Sequence, residues 1–305
     1  MVAPLNSNAA FLRRSLDDLS ALRGQAEGLQ RAVGTGEKLE HGSDDPVAAA
    51  RLRALSRLDA LGEVDEANAA RVSEELALAG DTLVGMADEI LRARDLAIQA
   101  ANEAMNDTQR ALIADELDTI RNALFVSANT FGIAGTSLFA GEGSGPAYTL
   151  DTSGAAIYAG TATAGEVDIG QGVSVPRGIA GPDAFGFAAG GSQTDIFAFL
   201  AALSASLRDT SGDPAAAARA ALGGFDEAMD SMNRAQTVIG VRAAWVETAQ
   251  SQQVVSGEAR ARERAEVGGT DLTQAIAELQ QTLTVLEAAR AGFVRVSSLT
   301  LFDAI

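Results

Sequence analysis

The sequence predicts a mainly α-helical protein with a small β insert, in which long helices from the two chain ends pair as a coiled-coil-like bundle. Two observations predict this architecture. Apolar residues recur in alternating steps of four and three near both chain ends, which is the a/d spacing of a coiled-coil helix. The central segment 131–191 instead holds 15 of the 31 glycines and one basic residue, Arg177, which is typical of short strands and turns.

The C-terminal helix is predicted from an apolar stripe that follows a break at Gly268 and Gly269, with Thr270 as the expected N-cap. Five buried large aliphatic side chains would contribute roughly 10 kcal/mol of gross hydrophobic free energy. We therefore expect this face to pack against another helix. The stripe consists of Leu272, Ile276, Leu279, Leu283 and Leu286, with Phe293 one heptad further on.

The N-terminal helix supplies a matching stripe, and we expect the two terminal helices to form assembly seams. One seam position repeats every seven residues and a second lies between its members. The first position holds Leu5, Leu12, Leu19, Ala26 and Val33, and the second holds Leu22 and Leu29.

Three further runs with the same spacing predict helices between the chain ends. Two of these helices are expected to begin at Pro46 and Pro214, each directly after an aspartate cap. The runs are Val72, Leu76, Ala79, Leu83, Met86, Ile90, Ala93 and Ala97; Ile113, Leu117, Ile120 and Leu124; and Leu222, Phe225, Met229, Met232, Ile239, Ala243 and Val246. Trp245 is predicted to pack in the core or at an interface.

The β insert is expected to contain a hairpin in which 167–169 and 173–175 flank a three-residue loop, Gly170 to Gly172. These elements predict five segments. They are an N-terminal core-forming helix and loop (1–45), the N-terminal half of a helical domain (46–140), the Gly-rich insert (141–193), the C-terminal half of the helical domain (194–267) and a C-terminal core-forming helix (268–305).

Composition argues against catalysis, metal binding and cofactors. The 305 residues contain no cysteine and one histidine, His41, which leaves no thiolate chemistry and little basis for a histidine site. The net charge of −18 disfavours nucleic acid and anionic membranes as partners. We therefore expect a protein that is not an enzyme and has no cofactor, no metal site and no nucleic-acid or membrane partner.

The charge is unevenly distributed along the chain. Residues 1–40 carry five acids and five bases, and 258–305 carry seven acids and five bases, so the excess negative charge lies in the middle. Near-neutral ends could pack against further copies of the chain, whereas the acidic middle stays solvated; chance unevenness is the alternative explanation.

A polar motif precedes the second helix. Asp44 and Asp45 could be read as paired carboxylates for acid–base chemistry, but their place before Pro46 favours helix capping. The loop and cap residues of this motif are Thr35, Gly36, Lys38, Ser43, Asp44, Asp45 and Pro46.

This motif resembles the N-terminal signature of the bacterial flagellin superfamily, and its Asp-Asp-Pro form is similar to that of the hook–filament junction proteins within it. Three further segments resemble those proteins in the same order along the chain. They are Asn129-Thr-Phe-Gly with Ser137-Leu-Phe-Ala-Gly141, Asn233-Arg-Ala with Ile239-Gly-Val-Arg242, and the end at Val296-Ser-Ser-Leu-Thr-Leu-Phe-Asp-Ala-Ile305. Leu301 and Phe302 of the last segment join the predicted assembly seams.

The resemblance implies a structural subunit of the bacterial flagellum, located outside the cell and exported through the flagellar type III apparatus without a cleaved signal peptide. The implied partners are further copies of the chain in a ring, the first hook-associated protein, flagellin, the export apparatus and a chaperone. Two alternatives remain open. One is a filament flagellin of reduced size, and the other is a surface module that uses the β insert to hold a glycan or host ligand. The insert has few aromatic residues, Tyr148, Tyr158, Phe185 and Phe187, and no obvious carboxylate cluster, which disfavours the second alternative.

Overall fold

The computed structural model describes residues 3–39, 41–133 and 135–302, with side chains described at 10, 13–39, 41–133 and 135–296. The chain folds into two compact units, Met1–Ala60 with Ser256–Ile305, and Leu61–Val255. The long helices α2 (Pro46–Ala100) and α6 (Pro214–Gly268) contribute to both. The five-segment division predicted from the sequence remains a prediction.

The regular secondary structure of the first unit, in its described part, consists of helices. It contains α1 (Ala3–Thr35), the start of α2, the end of α6 and α7 (Leu272–Phe302). Helices α1 and α7 pack against each other along their length, so the predicted pairing of the two chain ends is present within a single chain.

The second unit combines helices with three two-stranded antiparallel hairpins. Its shorter helices are α3 (Asp107–Ala128), α4 (Gly181–Phe185) and α5 (Ile196–Arg208). The strands are β1 (Tyr148–Leu150) with β2 (Ala156–Tyr158), β3 (Glu166–Asp168) with β4 (Ser174–Pro176), and β5 (Gly186–Ala189) with β6 (Ser192–Asp195). The fold class is therefore mainly α with a small β insert, as predicted.

The β3–β4 hairpin follows the sequence prediction closely. Val167 lies opposite Val175, and the Ile169 N–H donates to the Val173 carbonyl at 3.0 Å, which closes the loop around Gly170 to Gly172. The β5–β6 hairpin was not predicted. Its signal was the pair Gly190-Gly191, whose φ angles of +58° and +83° suit a two-residue hairpin turn.

The core of the second unit is built from the predicted heptad runs. Every member of the α2 run is at most 1% exposed, and the four predicted residues of α3 are buried. The α6 run alternates buried and half-buried positions, with Phe225, Met232, Ile239 and Val246 fully inside. These three predictions are confirmed because the 3.5-residue repeat keeps one face of each helix turned inward.

Aromatic side chains fill the space between the hairpins and the helices. Tyr148 packs against Phe197 with ring centroids 4.8 Å apart, and Phe139 packs against Phe185 at 5.0 Å. Burial raises the pKa of Tyr148, which keeps this phenol neutral in the core. None of the described helices combines the length and apolar character that crossing a bilayer requires.

Candidate assembly surface on the paired terminal helices

The first residues of the predicted loop motif terminate α1. Gly36 has a φ of +73° and donates its N–H to the Ala32 carbonyl at 2.9 Å, which is the left-handed conformation that commonly closes a helix. The Thr35 hydroxyl donates to the Arg31 carbonyl at 3.0 Å and accepts the Glu37 N–H at 3.2 Å. The Thr-Gly pair of the motif therefore acts as a C-terminal cap.

The loop then pairs with the break between α6 and α7. The Lys38 N–H donates to the Gly268 carbonyl at 2.8 Å, and the Thr270 N–H donates to the Gly36 carbonyl at 2.9 Å. A side chain at Gly269 would place its Cβ only 2.2 Å from a carbonyl oxygen of the last turn of α6. These two backbone–backbone hydrogen bonds, which we call the backbone bridge, connect the end of α1 to the start of α7 and involve no side chain.

The two aspartates at the end of the loop act locally. Asp45 caps α2, since its carboxylate accepts the N–H groups of Val47 at 3.1 Å and Ala48 at 3.0 Å. Asp44 accepts the N–H of His41 at 2.8 Å. The capping interpretation is confirmed for Asp45. In this loop the exposed residues are Thr35, Lys38, Ser43, Asp44 and Pro46, and the half-buried ones are Gly36 and Asp45.

The described part of the α1 stripe faces α7 as a heptad seam. Ala26 is 6% exposed and lies at the centre of the seam. On α7 the buried positions are Ala275, Thr282 and Leu286, and Leu279 and Phe293 are half-buried. The half-buried seam residues of α1 are Leu19, Leu22, Leu29 and Val33.

The α7 seam is rotated from the stripe predicted from the sequence. Leu272, Ile276 and Leu283 are 48%, 43% and 45% exposed, so they lie outside the α1 contact. The buried positions of α7 are instead Ala275, Thr282 and Leu286, which lie partly to one side of the predicted stripe on the helix. We call Leu272, Ile276 and Leu283 the open edge of α7.

Other predicted seam residues fall at the ends of the described chain. The side chains of Leu5, Leu12, Leu301 and Phe302 lie outside the described residues. The prediction that Thr270 caps α7 is wrong. Asp271 is the cap, because its carboxylate accepts the Gln274 N–H at 3.1 Å, whereas the backbone of Thr270 is engaged by the bridge to α1.

Ion pairs join α2 to α6 within the same unit. Asp59 accepts hydrogen bonds from Arg260, at 2.7 Å, and from Arg264. Arg51, about two turns earlier in α2, pairs with Glu263. The hydrogen bond from Arg260, together with the charges of both arginines, lowers the pKa of Asp59. Sequence reasoning missed these pairs because their partners are about 200 residues apart.

In the second unit, Asn129 gives the motif Asn129-Thr-Phe-Gly a structural role. Its side-chain oxygen accepts the Tyr148 N–H at 2.8 Å, and its side-chain nitrogen donates to the carbonyls of Tyr148 at 3.0 Å and Phe125 at 3.2 Å. The amide therefore joins the end of α3 to strand β1. Gly141, with a φ of +65°, ends the same motif in a position where a Cβ would lie 2.5 Å from the facing loop.

Arg242 accounts for a second motif. Its guanidinium donates to the Gly178 carbonyl, and burial lowers its pKa although the charge of Asp183 acts in the opposite direction. The arginine thereby fastens α6 to the segment that follows β4.

The structure also locates the aromatic residues of the insert and Trp245. Tyr148, Phe185 and Phe187 are at most 4% exposed, so they pack the core and form no exposed stacking platform for a ligand. Trp245 is 59% exposed, which rules out the core alternative for this residue and leaves an interface role as a prediction. No group of three or more potential metal-ligating side chains occurs in the part of the chain that the structure describes.

Comparison with known proteins identifies relatives among bacterial flagellar proteins. Residues 7–144 match the bacterial flagellin N-terminal helical region. Flagellar hook-associated protein 3 of Escherichia coli (strain K12) is 22% identical over 290 residues, covering 89% of this chain and 90% of that protein.

Solved structures share the fold. A flagellar hook-associated protein from Vibrio parahaemolyticus superposes with a TM-score of 0.67 at 22% identity, covering 74% of this chain and 100% of that one. The flagellar junction protein FlgL from Legionella pneumophila superposes with a TM-score of 0.59 at 16% identity, covering 72% and 99%. Residues 7–144 of the chain therefore carry the bacterial flagellin N-terminal helical region, and over most of its length the chain is similar to flagellar hook-associated protein 3.

Proposed function

We propose that this chain is a structural subunit of the bacterial flagellum that joins the hook-associated proteins to the flagellin filament. It works outside the cell as a homo-oligomeric ring between the first hook-associated protein and the first flagellin subunits. Its role is assembly and involves no catalytic step. Export occurs through the flagellar apparatus with a chaperone and without a cleaved signal peptide.

The open edge of α7 is the observation that carries the assembly mechanism. One face of α7 is already covered by α1, while Leu272, Ile276 and Leu283 each leave 43–48% of their surface exposed at regular spacing. Burying such a row between subunits is favourable by about 25 cal/mol per Å² of apolar surface. We infer that α1–α7 pairing is intramolecular and that the open edge contacts a neighbouring subunit.

Charge supports the same arrangement. The segments 1–40 and 258–305 are close to neutral, whereas the net charge of the chain is −18. Near-neutral terminal helices of neighbouring copies can approach each other without strong repulsion. Repulsion between the acidic middle segments reaches only about 8 Å at physiological salt.

Deletion of the gene tests the role in the cell, with electron microscopy of the cells and an assay for flagellin in the medium. Bare hooks with unpolymerised flagellin shed into the medium are expected. Bare hooks without shed flagellin would instead assign the chain as the filament subunit, and normal flagella would contradict both assignments.

Complementation of that deletion tests the open edge. Ile276→Asp adds a charge to the open edge at a position that is not buried against α1, so the monomer should fold and the flagella should be lost. Leu112→Asp is the matched control, because Leu112 is 64% exposed on α3 of the other unit. Full motility with Ile276→Asp would refute the assignment of this edge as a subunit contact.

A further inference from the structure

A small internal cavity in the second unit has a polar lining that the assembly role does not use. It lies where α2, the turn 130–138 and the segment after β4 meet. Its lining includes Glu75, Ser137, Arg177 and Gly178, and about 10 Å³ is available to the centre of a water-sized molecule. That volume is close to what a single water molecule requires.

Two polar atoms of this lining lack partners. Glu75 is 3% exposed and Ser137 is 4% exposed. Neither Glu75 Oε1 nor Ser137 Oγ has a hydrogen-bond partner among the described residues. Buried carboxylates and hydroxyls are rarely left unpaired, because they lose their hydration without compensation. Both residues border the same cavity, which suggests one shared partner.

We propose that this cavity binds a single structural water molecule. The water donates a hydrogen bond to Glu75 Oε1 and accepts one from the Ser137 hydroxyl. A metal cation is the poorer fit, since the Arg177 guanidinium borders the same space. The carboxylate of Glu75 disfavours an anion in turn. The inference is independent of the proposed flagellar role.

The turn that borders the cavity is closely packed against its surroundings. A Cβ added at Gly132 would lie 3.1 Å from the Leu138 side chain and 3.4 Å from Glu75 Oε1. A Cβ at Gly178 would lie 2.5 Å from the Leu138 carbonyl. The turn is further held by the Leu138 N–H, which donates to the Thr130 carbonyl at 3.0 Å. The water thus joins a tightly built turn to α2.

A double-mutant cycle on the full-length chain tests the bridge by amide hydrogen exchange at Leu138. Ser137→Ala should speed exchange about tenfold, since the water loses one partner, and Glu75→Met should act similarly. The two substitutions together should have little more effect than one, because either removes the same bridge. Ser144→Ala, at an exposed serine of the neighbouring loop, is the control and should leave exchange unchanged.

Different results are expected if no water bridges Glu75 and Ser137. Without a bridging water, Ser137→Ala removes an unsatisfied buried hydroxyl, so exchange should stay constant or slow. Additive effects of the two substitutions would overturn the proposal as well. Should Glu75→Met fail to fold, Glu75→Gln replaces it in the comparison. The amide keeps an oxygen that can accept from the water, so Glu75→Gln should exchange like the unsubstituted chain, and faster exchange would count against the bridge.

A high-resolution crystal structure of the full chain provides a second readout. One solvent peak within hydrogen-bond distance of both Glu75 Oε1 and Ser137 Oγ is expected. An empty cavity, or a peak surrounded by five or six oxygens at cation distances, would overturn the assignment of water.

Discussion

Replacing Leu286 by alanine should loosen the terminal helix pair more than the same change at Leu283. Leu286 is 9% exposed and Leu283 is 45% exposed. Removing the outer carbons of a buried leucine costs about 2 kcal/mol at roughly 0.8 kcal/mol per CH₂, and a half-exposed side chain loses about half of that. The difference of about 1 kcal/mol corresponds to about fivefold in the local opening constant.

Hydrogen exchange followed by mass spectrometry on the monomeric protein measures this difference directly. Peptides from the described part of α7 should exchange about fivefold faster in Leu286→Ala than in Leu283→Ala. Peptides from α1 should follow, because that helix loses part of its partner surface. The two variants share a helix and a substitution, so differences in helix propensity cancel.

Equal exchange in the two variants would refute the rotated seam. Faster exchange in Leu283→Ala would show that Leu283 is buried against α1 more deeply than Leu286. Either result would also remove the basis for treating Leu283 as part of an open edge.

Three other predictions concern single contacts. Asn129→Ala should lower the free energy of unfolding by about 1–3 kcal/mol in urea titrations, since the buried N–H and carbonyl of Tyr148 lose their partner; an unchanged midpoint would contradict this. Gly141→Ala should be destabilising by at least about 1 kcal/mol in the same titration, because its φ of +65° and the adjacent loop both exclude a side chain. The hydrogen bond from Arg260 lowers the pKa of Asp59. Ionised Asp59 therefore stabilises the fold fully above the unfolded-state pKa near 3.8, and this stabilisation is lost as pH falls through the lower folded-state pKa. Asp59→Asn should therefore flatten the acid dependence of exchange in the first unit, and an identical pH profile would count against the pair.

The helices and their core faces could be predicted because periodicity is a local property of the sequence. A run such as Leu76, Leu83 and Ile90 repeats every seven residues, and this spacing is enough to keep one side of α2 inside. The β3–β4 hairpin was equally accessible, since Gly170 and Gly172 mark a turn between two short β-prone pieces.

The rest depended on contacts between distant parts of the chain. Thr282 is more deeply buried than Leu279 because of how α7 is rotated against its neighbours, and no pattern within α7 records that rotation. The pairing of Asp59 with Arg260 is similarly invisible, because each charge alone is typical of a solvated helix face. Glu75 lies within a helix that carries several exposed acids, and the residues that pack around it, such as Gly132 and Ser137, are distant in the sequence.

The rotated seam also changes which substitution can separate folding from assembly. Leu279 lies in the strongest part of the heptad pattern, but it is half-buried beside α1, so an aspartate there would disrupt the intramolecular pair as well as any subunit contact. Ile276 is 43% exposed on the same helix, and an aspartate there should leave the pair intact. A helix that packs one face inside its own chain and leaves a second apolar face open has a surface available for a further contact. The apolar residues of α7 therefore cover more of the helix surface than the contact with α1 buries. The apolar residues outside that contact are available for contacts between subunits.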